Sequence, residues 1–537
     1  MIRLHSLKIP LSYTDSDLRT AAARKLHISP RQIASLSISR KSIDARRKSE
    51  IMYAISLDLT LTDISAEERC LRAFPPNEVS LAEPWQVPVI PKVHGPAAQP
   101  VVIGFGPAGI FAALWLAEAG LCPIVLERGR DARQRTHDVE TYFSQGSVAF
   151  SPVSNVQFGE GGAGTFSDGK LNSGIKDPHA MTVLRTLVRF GAPDEIIYDA
   201  KPHIGTDRLA DCIIRIREHI CRLGGEVRFE SRVTALHRQS GQICGLTYEH
   251  EGSSVSLDAS FVVLAIGHSA RDTFESLYRD HFTLVPKPFS MGVRIEHPQT
   301  LINLAQYGPH APAILGAADY KLAVHLPGGR SVYTFCMCPG GSVVAAASEP
   351  DSIVTNGMSR YARDDRNANS ALLVGIQPED FPDSHPLSGM YWQRAIEQKA
   401  FILGGSSGYA PAQLSGDFLC GTPSTGARSI LPSYRPGVTF GDLRQLFPPL
   451  FTDALKEAIP LLARRLSGFD HPDAVLTAPE TRSSCPVRMP RSELLESLDA
   501  SGLYPCGEGA GYAGGITSAA VDGIRCAEQI ISKVSMS

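Results

Sequence analysis

VVIGFGPAGIFAALWLAEAGLCPIVLE, residues 101–127, decides the fold. Val101, Val102 and Ile103 are a short apolar β run, and Gly104, Gly106 and Gly109 follow as G-x-G-x-x-G. An apolar, alanine-rich helix is expected over 110–119 and a second strand over 123–126, with Glu127 twenty-three residues beyond the first glycine. Each part has a job in a dinucleotide site. Gly104 makes the tight turn, Gly106 lets backbone approach a pyrophosphate, and Gly109 lets helix and strand pack closely. The helix N-terminus, with Pro107 and Ala108 in its first turn, offers unpaired N–H groups and a positive dipole end to the phosphates. Glu127 accepts ribose hydroxyls in this arrangement and would repel a 2′-phosphate. A glycine motif alone is weak evidence, but here strand, turn, helix, strand and acid stand in order. The alternative is a glycine-rich turn in a βαβ unit that binds nothing.

Around this stretch, 537 residues leave room for two or three domains. Hydrophobic content of 43%, charge of 20% and a net charge of −3 describe a globular chain with no overall attraction to nucleic acid or membrane. Eleven scattered cysteines without a C-x-x-C pair point to reduced thiols in a cytoplasmic setting, and no metal site is expected. Residues 1–13 carry charges and a proline where a signal peptide has an apolar core. Glycine and proline break 101–126 into βαβ pieces, which argues against a membrane span.

Residues 1–90 read as a small basic α+β domain, with strands over 2–11, 33–39 and 51–61 and a helix over 15–26 capped by Asp15. Its first fifty residues hold eleven Lys and Arg against four acids, and Arg40, Lys41, Arg46, Arg47 and Lys48 cluster between two strands. A solvated hairpin is the plain reading of that run, and contact with RNA or a partner is the alternative. A proline-rich linker is expected over 91–100. The remaining expectations are an FAD-binding domain whose first part spans 101–280, a β-rich α+β insert over 281–480, and a return to the first domain over 481–537.

Beyond the opening unit, FGEGGAGTFSDGKL (158–171) contains G-x-x-x-x-G-K from Gly164 to Lys170. Leu171 replaces the Ser or Thr of a Walker loop and no β run precedes it, so a glycine loop facing the cofactor is the better reading. A purely structural turn stays open. A helix is expected over 209–223, with strands over 227–230 and 232–236 and a buried strand over 261–266 that ends on Gly267. Alternating patterns at 289–296, 322–326, 331–337 and 343–347 give the insert its β character. The chain ends with a β run at 503–506, a turn at Gly507, Glu508 and Gly509, and a helix led by Gly514, Gly515 and Ile516 that reaches 531.

FGEGGAGTFSDGKL, KPFSMGVRIEHPQ (287–299), YTFCMCPGG (333–341), TNGMSRYARD (355–364), ETRSSCPVR (480–488) and YPCGEGAGYAGGITSAAVDG (504–523) resemble the motifs of a bacterial FAD-dependent dehydrogenase family. These proteins are labelled NAD(FAD)-utilising dehydrogenases, have no established substrate, and fall within the glutathione-reductase-like flavoproteins. The resemblance implies non-covalent FAD and an interrupted Rossmann-like domain. It implies that the last helix points at the flavin N1 and O2 edge and that Glu508, where Asp is commoner, bonds the ribityl chain. It further implies cofactor contacts at Arg128, Gly162, Thr165, Asp168, Gly169, Val233 and Gly267.

Outside 101–127 no G-x-G-x-x-G stands in a complete strand, turn, helix, strand and acid unit, so any NAD(P)H is expected to dock transiently; Gly404, Gly405 and Gly408 lack the acid that would complete one. Cys336 and Cys338, spaced C-x-C on a strand, point to one face as either a redox pair or two packed thiols. Arg294, Arg482 and Arg488 are either a clamp for an anionic substrate or interdomain ion pairs. His268 reads as a structural residue near the cofactor. The expected function is an FAD-dependent oxidoreductase acting on a small molecule. An RNA-associated flavoprotein, using residues 1–50, and a flavin redox sensor are the alternatives.

Overall fold

The computed structural model describes residues 1–93 and 99–536. Of the linker expected at 91–100, residues 94–98 lie outside the described residues. Alternating apolar side chains near the N-terminus build an antiparallel sheet in the order β2–β3–β1–β4, from β1 (Ile2–Pro10), β2 (Ile33–Asp44), β3 (Met52–Leu61) and β4 (Val79–Leu81). Helices α1 (Asp15–Leu26) and α2 (Ile64–Ala73) cover it. Thr14, and not Asp15, caps α1: its hydroxyl accepts from Asp17 N, while the Asp17 carboxylate accepts from Thr14 N at 2.8 Å. That reciprocal pair satisfies two helix-end donors at once, which Asp15 as first helical residue cannot do. Strand β2 runs through Arg40 and Lys41, and three cations of this basic run, Lys41, Arg46 and Lys48, have local partners. Lys41 exchanges backbone bonds with Tyr198 (2.7 Å) and Ala200 (2.8 Å), and its ammonium lies 4.5 Å from the Tyr53 ring centre. Arg46 pairs with Asp44 and Lys48 donates to Ala305 O.

The second unit is a parallel sheet in the order β23–β11–β5–β6–β7. It begins with β5 (Val101–Ile103), α3 (Pro107–Ala119) and β6 (Ile124–Leu126), whose strands are buried at every position, as a sheet covered on both faces requires. Then come α4 (Ala132–Gln145), α5 (His179–Arg189), α6 (Gly205–Arg222) and β7 (Glu226–Arg228). An antiparallel meander of β8 (Ser231–Gln239), β9 (Gln242–His250) and β10 (Ser253–Asp258) precedes β11 (Val262–Leu264) and α7 (Arg271–Arg279).

The chain leaves along β12 (Val285–Pro286) and re-enters along β22 (Val487–Arg488), which pair antiparallel. Between them a seven-stranded sheet has the order β14–β15–β18–β13–β21–β19–β20. Its strands are β13 (Phe289–Pro298), β14 (Ala323–His325), β15 (Ser331–Cys338), β18 (Asn367–Ile376), β19 (Ala410–Leu414), β20 (Val438–Phe440) and β21 (Val475–Glu480), with a side ribbon of β16 (Ser342–Ala345) and β17 (Thr355–Met358). The insert also carries α8 (Gln299–Tyr307), α9 (Ser388–Leu403), α10 (Ser415–Cys420) and α11 (Pro449–Ala463), more helix than its alternating patterns suggest. Pro460 lies inside α11 and interrupts the reading of its apolar period at Phe451, Leu455, Ala458, Ile459 and Leu462, while the buried face of α9 includes Gln393 and Glu397. The chain closes with β23 (Leu503–Pro505) and α12 (Ile516–Met536). Helix α12 lies so close to α3 that a Cβ on Gly523 would stand 2.1 Å from Ala108 O. The protein is therefore α/β: a Rossmann-like domain interrupted by a β-rich insert, beside a small α+β unit. Among the described residues no helix is long and apolar enough to cross a membrane.

Candidate active site

In an open parallel sheet the ligand crevice lies at the carboxyl ends of the strands, where strand order reverses. Strand β5 is that point here, with β6 on one side and β11 on the other. A cavity of about 350 Å³ opens there. One wall is the turn from Gly104 to Ala108, the facing wall carries Gly162 and Gly164, and Gly514, Gly515 and Ile516 close one end. Gly104 has φ +93°, and a Cβ on it would stand 2.4 Å from Ala265 O; one on Gly109 would stand 1.9 Å from Gly104 O. Both glycines close the turn itself. Gly106 differs: a Cβ there would meet only Gly162 Cα, at 3.7 Å, because the space before it is the cleft. The helices α3 and α12 both open on this space, and their free N–H groups suit phosphate and carbonyl oxygens.

Glu127 is buried on the wall, with Oε1 accepting from Gly129 N (2.8 Å) and Gly159 N (3.0 Å) and Oε2 from Phe105 N (2.8 Å). One acceptor position remains on Oε2 for a ribose hydroxyl. Glu508 stands on the wall without a hydrogen bond from its carboxyl group to any described residue, and burial pushes its pKa up to about 7 against the pull of Lys287. A pyrophosphate cradle, a ribose acceptor and an open carboxyl group together fit FAD. Because folded Glu508 keeps its proton to about pH 7 while the unfolded chain releases it near 4.5, its contribution to stability falls as pH rises through that window. In flavin-free protein, Glu508→Gln should remove that loss. The gain should be on the order of 1 kcal/mol at pH 8 and absent at pH 4 in paired urea titrations. Equal gains at both pH values would reject the assignment.

A residue with no motif holds the facing wall. Arg135, fully buried on α4, donates from Nε to Asn155 O (2.8 Å), from Nη1 to Gly159 O (3.2 Å) and Glu160 O (2.7 Å), and from Nη2 to Val156 O and Gly162 O (2.9 Å each). Its five donors meet five carbonyls of one loop.

Other expected positions divide. Val233, Gly267, Arg128, Asp168 and Lys170 line the cleft. Arg128, however, is forked onto Asp272 at 2.8 and 3.1 Å. Asp168 pairs with Lys170 (3.1 Å) and Arg363, and Lys170 also donates to Met337 O. Thr165 faces away from the cleft, its hydroxyl bonded to Glu160 O. Gly169 turns toward Ile204, and Gly507 lies behind the wall, donating its N–H to Asp522 at 2.7 Å. Cys506, Asp522 and Cys526 converge there, but Arg491 already forks onto the Asp522 carboxylate, and a guanidinium repels a metal cation.

The arginine clamp is not formed. Arg482 lines the cleft, yet its fork closes on Glu397 (3.0 and 2.7 Å), with Nη1 on Ser269 and Ser348. Arg294 is buried on Glu480 (3.1 and 3.3 Å) and Asn369 (2.8 Å). Arg488 lies outside the cleft, its guanidinium 5.3 Å from the Tyr512 ring centre. Buried guanidiniums need fixed acids, which is why two of the three are already paired. His268 is on the wall, but burial and the cations Arg482 and Arg271 push it down to about 3, too weak a base for neutral pH. Cys336 and Cys338 are not two thiols on a flat strand. Between Phe335 and Cys338 the β15 register slips against β18, and Cys336 takes φ +42°.

Along the whole chain, a protein of Clostridium beijerinckii described as uncharacterized is 47% identical over 538 residues, covering 100% of this chain and 99% of that one. This chain belongs to its family. Residues 288–483 match the FAD-dependent protein, C-terminal domain-like family, and residues 1–60 match a domain of unknown function. The matched 288–483 segment is the insert that closes the cleft. Two solved structures are more distant. A triple mutant of the flavin-dependent brominase Bmp2 is 13% identical, with 82% of this chain and 81% of that chain covered and a TM-score of 0.37. A geranylgeranyl bacteriochlorophyll reductase-like protein from Thermoplasma acidophilum is 13% identical, with 82% and 80% covered and a TM-score of 0.36. Likenesses at this level say nothing about the reaction.

Proposed function

We propose that this protein is an FAD-dependent oxidoreductase that moves electrons between non-covalent FAD and a small molecule entering beside the insert. One observation carries the reading. A single cleft runs from the α3 turn to the start of α12 and is closed on its far side by Phe335, Cys336, Asn356 and Glu480 of the insert. Bound FAD supplies two-electron chemistry at its flavin ring. The chain's own part is to hold phosphates at α3, offer Glu127 to a ribose, keep a proton at Glu508, and exclude water with the insert. Arg294 and Arg482 are occupied by carboxylates, so they lend no support to an anionic substrate. A nicotinamide donor would dock from outside, since Gly404 ends α9 with its Cβ position 1.8 Å from Tyr409 O and opens no second dinucleotide turn. Eleven free thiols support a cytoplasmic setting.

The test is anaerobic stopped-flow of the purified protein with NADH and with NADPH, followed by a metabolite screen read at the flavin absorbance. Heat-released FMN, or no flavin after reconstitution, would overturn the proposal. Gly106→Val should weaken FAD binding roughly hundredfold, because two charge-assisted bonds are lost where a side chain fills the phosphate space. The melting temperature of the flavin-free variant should match the parent, since the new side chain faces the cleft. A variant that retains flavin through gel filtration as the parent does would disprove this assignment.

A further inference from the structure

The slip in β15 sets Cys336 and Met337 opposite one residue of β18, a bulge whose first residue has φ +42°. Glycine is the usual occupant of that left-handed position, and here a cysteine holds it. Two buried or half-buried cations fix the bulge from outside the strand: Arg294 donates to Cys336 O at 3.0 Å, and Lys170 donates to Met337 O. On a regular strand, residues i and i+2 are about 6.6 Å apart, at the long end of what a disulfide spans. Here the bulge turns the Cys338 thiol back onto the residue it would pair with, its sulfur donating to Cys336 O at 3.3 Å. Cys336 is half-buried on the cleft wall, and Cys338 lies fully buried behind it, its sulfur 3.9 Å from Arg294 Nη1.

We propose that Cys336 and Cys338 are a redox-active thiol pair that cycles between dithiol and intramolecular disulfide by exchange with a small-molecule disulfide in the cleft. The Cys336 thiolate attacks one sulfur of the disulfide, that S–S bond breaks, and the first thiolate leaves and takes up a proton. Cys338 then gives up its proton, its sulfur attacks Cys336 Sγ in the mixed disulfide, and the second thiolate leaves with that proton. Two protein thiols are oxidised and one external disulfide is reduced to two thiols. The surroundings assign the order of attack. Cys336 faces the cleft and Cys338 lies behind it; the neighbouring Cys338, with Lys170 and Arg294, pulls the Cys336 thiol down, and Cys338 is pushed up in turn.

The experiment treats flavin-loaded protein, under argon, with oxidised glutathione and maps the quenched products by peptide mass. In the parent, a disulfide joining 336 to 338 should form about tenfold faster than adducts on the exposed Cys221, Cys244 and Cys420. Cys338→Ser should stop at a stable glutathione adduct on Cys336, and Cys336→Ser should leave Cys338 unmodified. The parent arm needs no variant to fold, and flavin content reports the fold of the other two. Reaction at Cys336 no faster than at the three exposed thiols, or no 336–338 link in the parent, would overturn the proposal. Neither result depends on whether a nicotinamide or a metabolite reduces the flavin, so the two proposals fail separately.

Discussion

Arg135→Met should cost on the order of 4 kcal/mol of stability and most of the bound flavin. The guanidinium satisfies the carbonyls of Asn155, Val156, Gly159, Glu160 and Gly162, and Met has no donor for any of them. A buried acceptor left without a partner costs about 1 to 3 kcal/mol, and the loop will recover part of that by shifting toward water. Such a shift moves Gly162 away from Gly106, against which it packs beside the cleft, so flavin retention should fall with stability. The charge itself is held in place by Glu127 and Glu160 nearby, while burial pulls its pKa down to about 10. Arg135→Lys keeps the charge, but one ammonium has three donors on a single atom and no planar fork. That variant should lose about 2 kcal/mol. Urea unfolding of both variants, with flavin counted after gel filtration, gives the answer; Arg135→Met within 1 kcal/mol of the parent would remove the residue from this role.

Arg135 also shows where reading the sequence stops. The turn from Gly104 to Gly109, the helix after it and Glu127 are legible because each glycine and the acid does something local that a short spacing records. The α12 start is legible for the same reason. Arg135 is one of three arginines in the stretch Arg130 to Arg135, and nothing in that spacing says that one of them is to be buried against five carbonyls twenty to twenty-seven residues away. The spacing expects Glu127 as a ribose acceptor, but the clip its carboxylate makes from Gly159 to the βαβ unit depends on a loop whose path has no periodicity. The arginines of the re-entry segment failed as a clamp for a related reason. Arg482 and Glu397 are eighty-five residues apart, and only the folded chain shows that the acid arrives first. The Cys336 bulge is invisible because alternation predicts a strand and cannot mark where it slips.

Glu397→Ala should be the most damaging change in the insert. Its carboxylate is fully buried on α9 and receives Arg271 from α7 at 2.8 Å on both oxygens, Arg482 at 3.0 and 2.7 Å, and the hydroxyl of Thr481 at 2.6 Å. Arg271 precedes the insert and Arg482 stands at its end, just before the re-entry strand β22, so this one acid ties α9 to both ends of the excursion. Removing it leaves two buried guanidiniums, with Glu349 at the margin as their remaining acid. Breaking a buried pair in this way costs about 3 to 5 kcal/mol. The pH dependence gives an independent measure. Desolvation alone would raise the Glu397 pKa, but Arg271 and Arg482 overcome it and hold the carboxyl at about 2 against 4.5 for a free glutamate. A depressed acid stabilises the fold fully above the unfolded value and loses that contribution as pH falls, here between about 4.5 and 2. A shift of that size corresponds to on the order of 3 kcal/mol, in line with the mutational figure. The stability difference between parent and Glu397→Gln should therefore be flat from pH 8 to 5 and shrink below 4.5. A difference under 1 kcal/mol at pH 7, or one that grows on acidification, would show that the two arginines are held by something else.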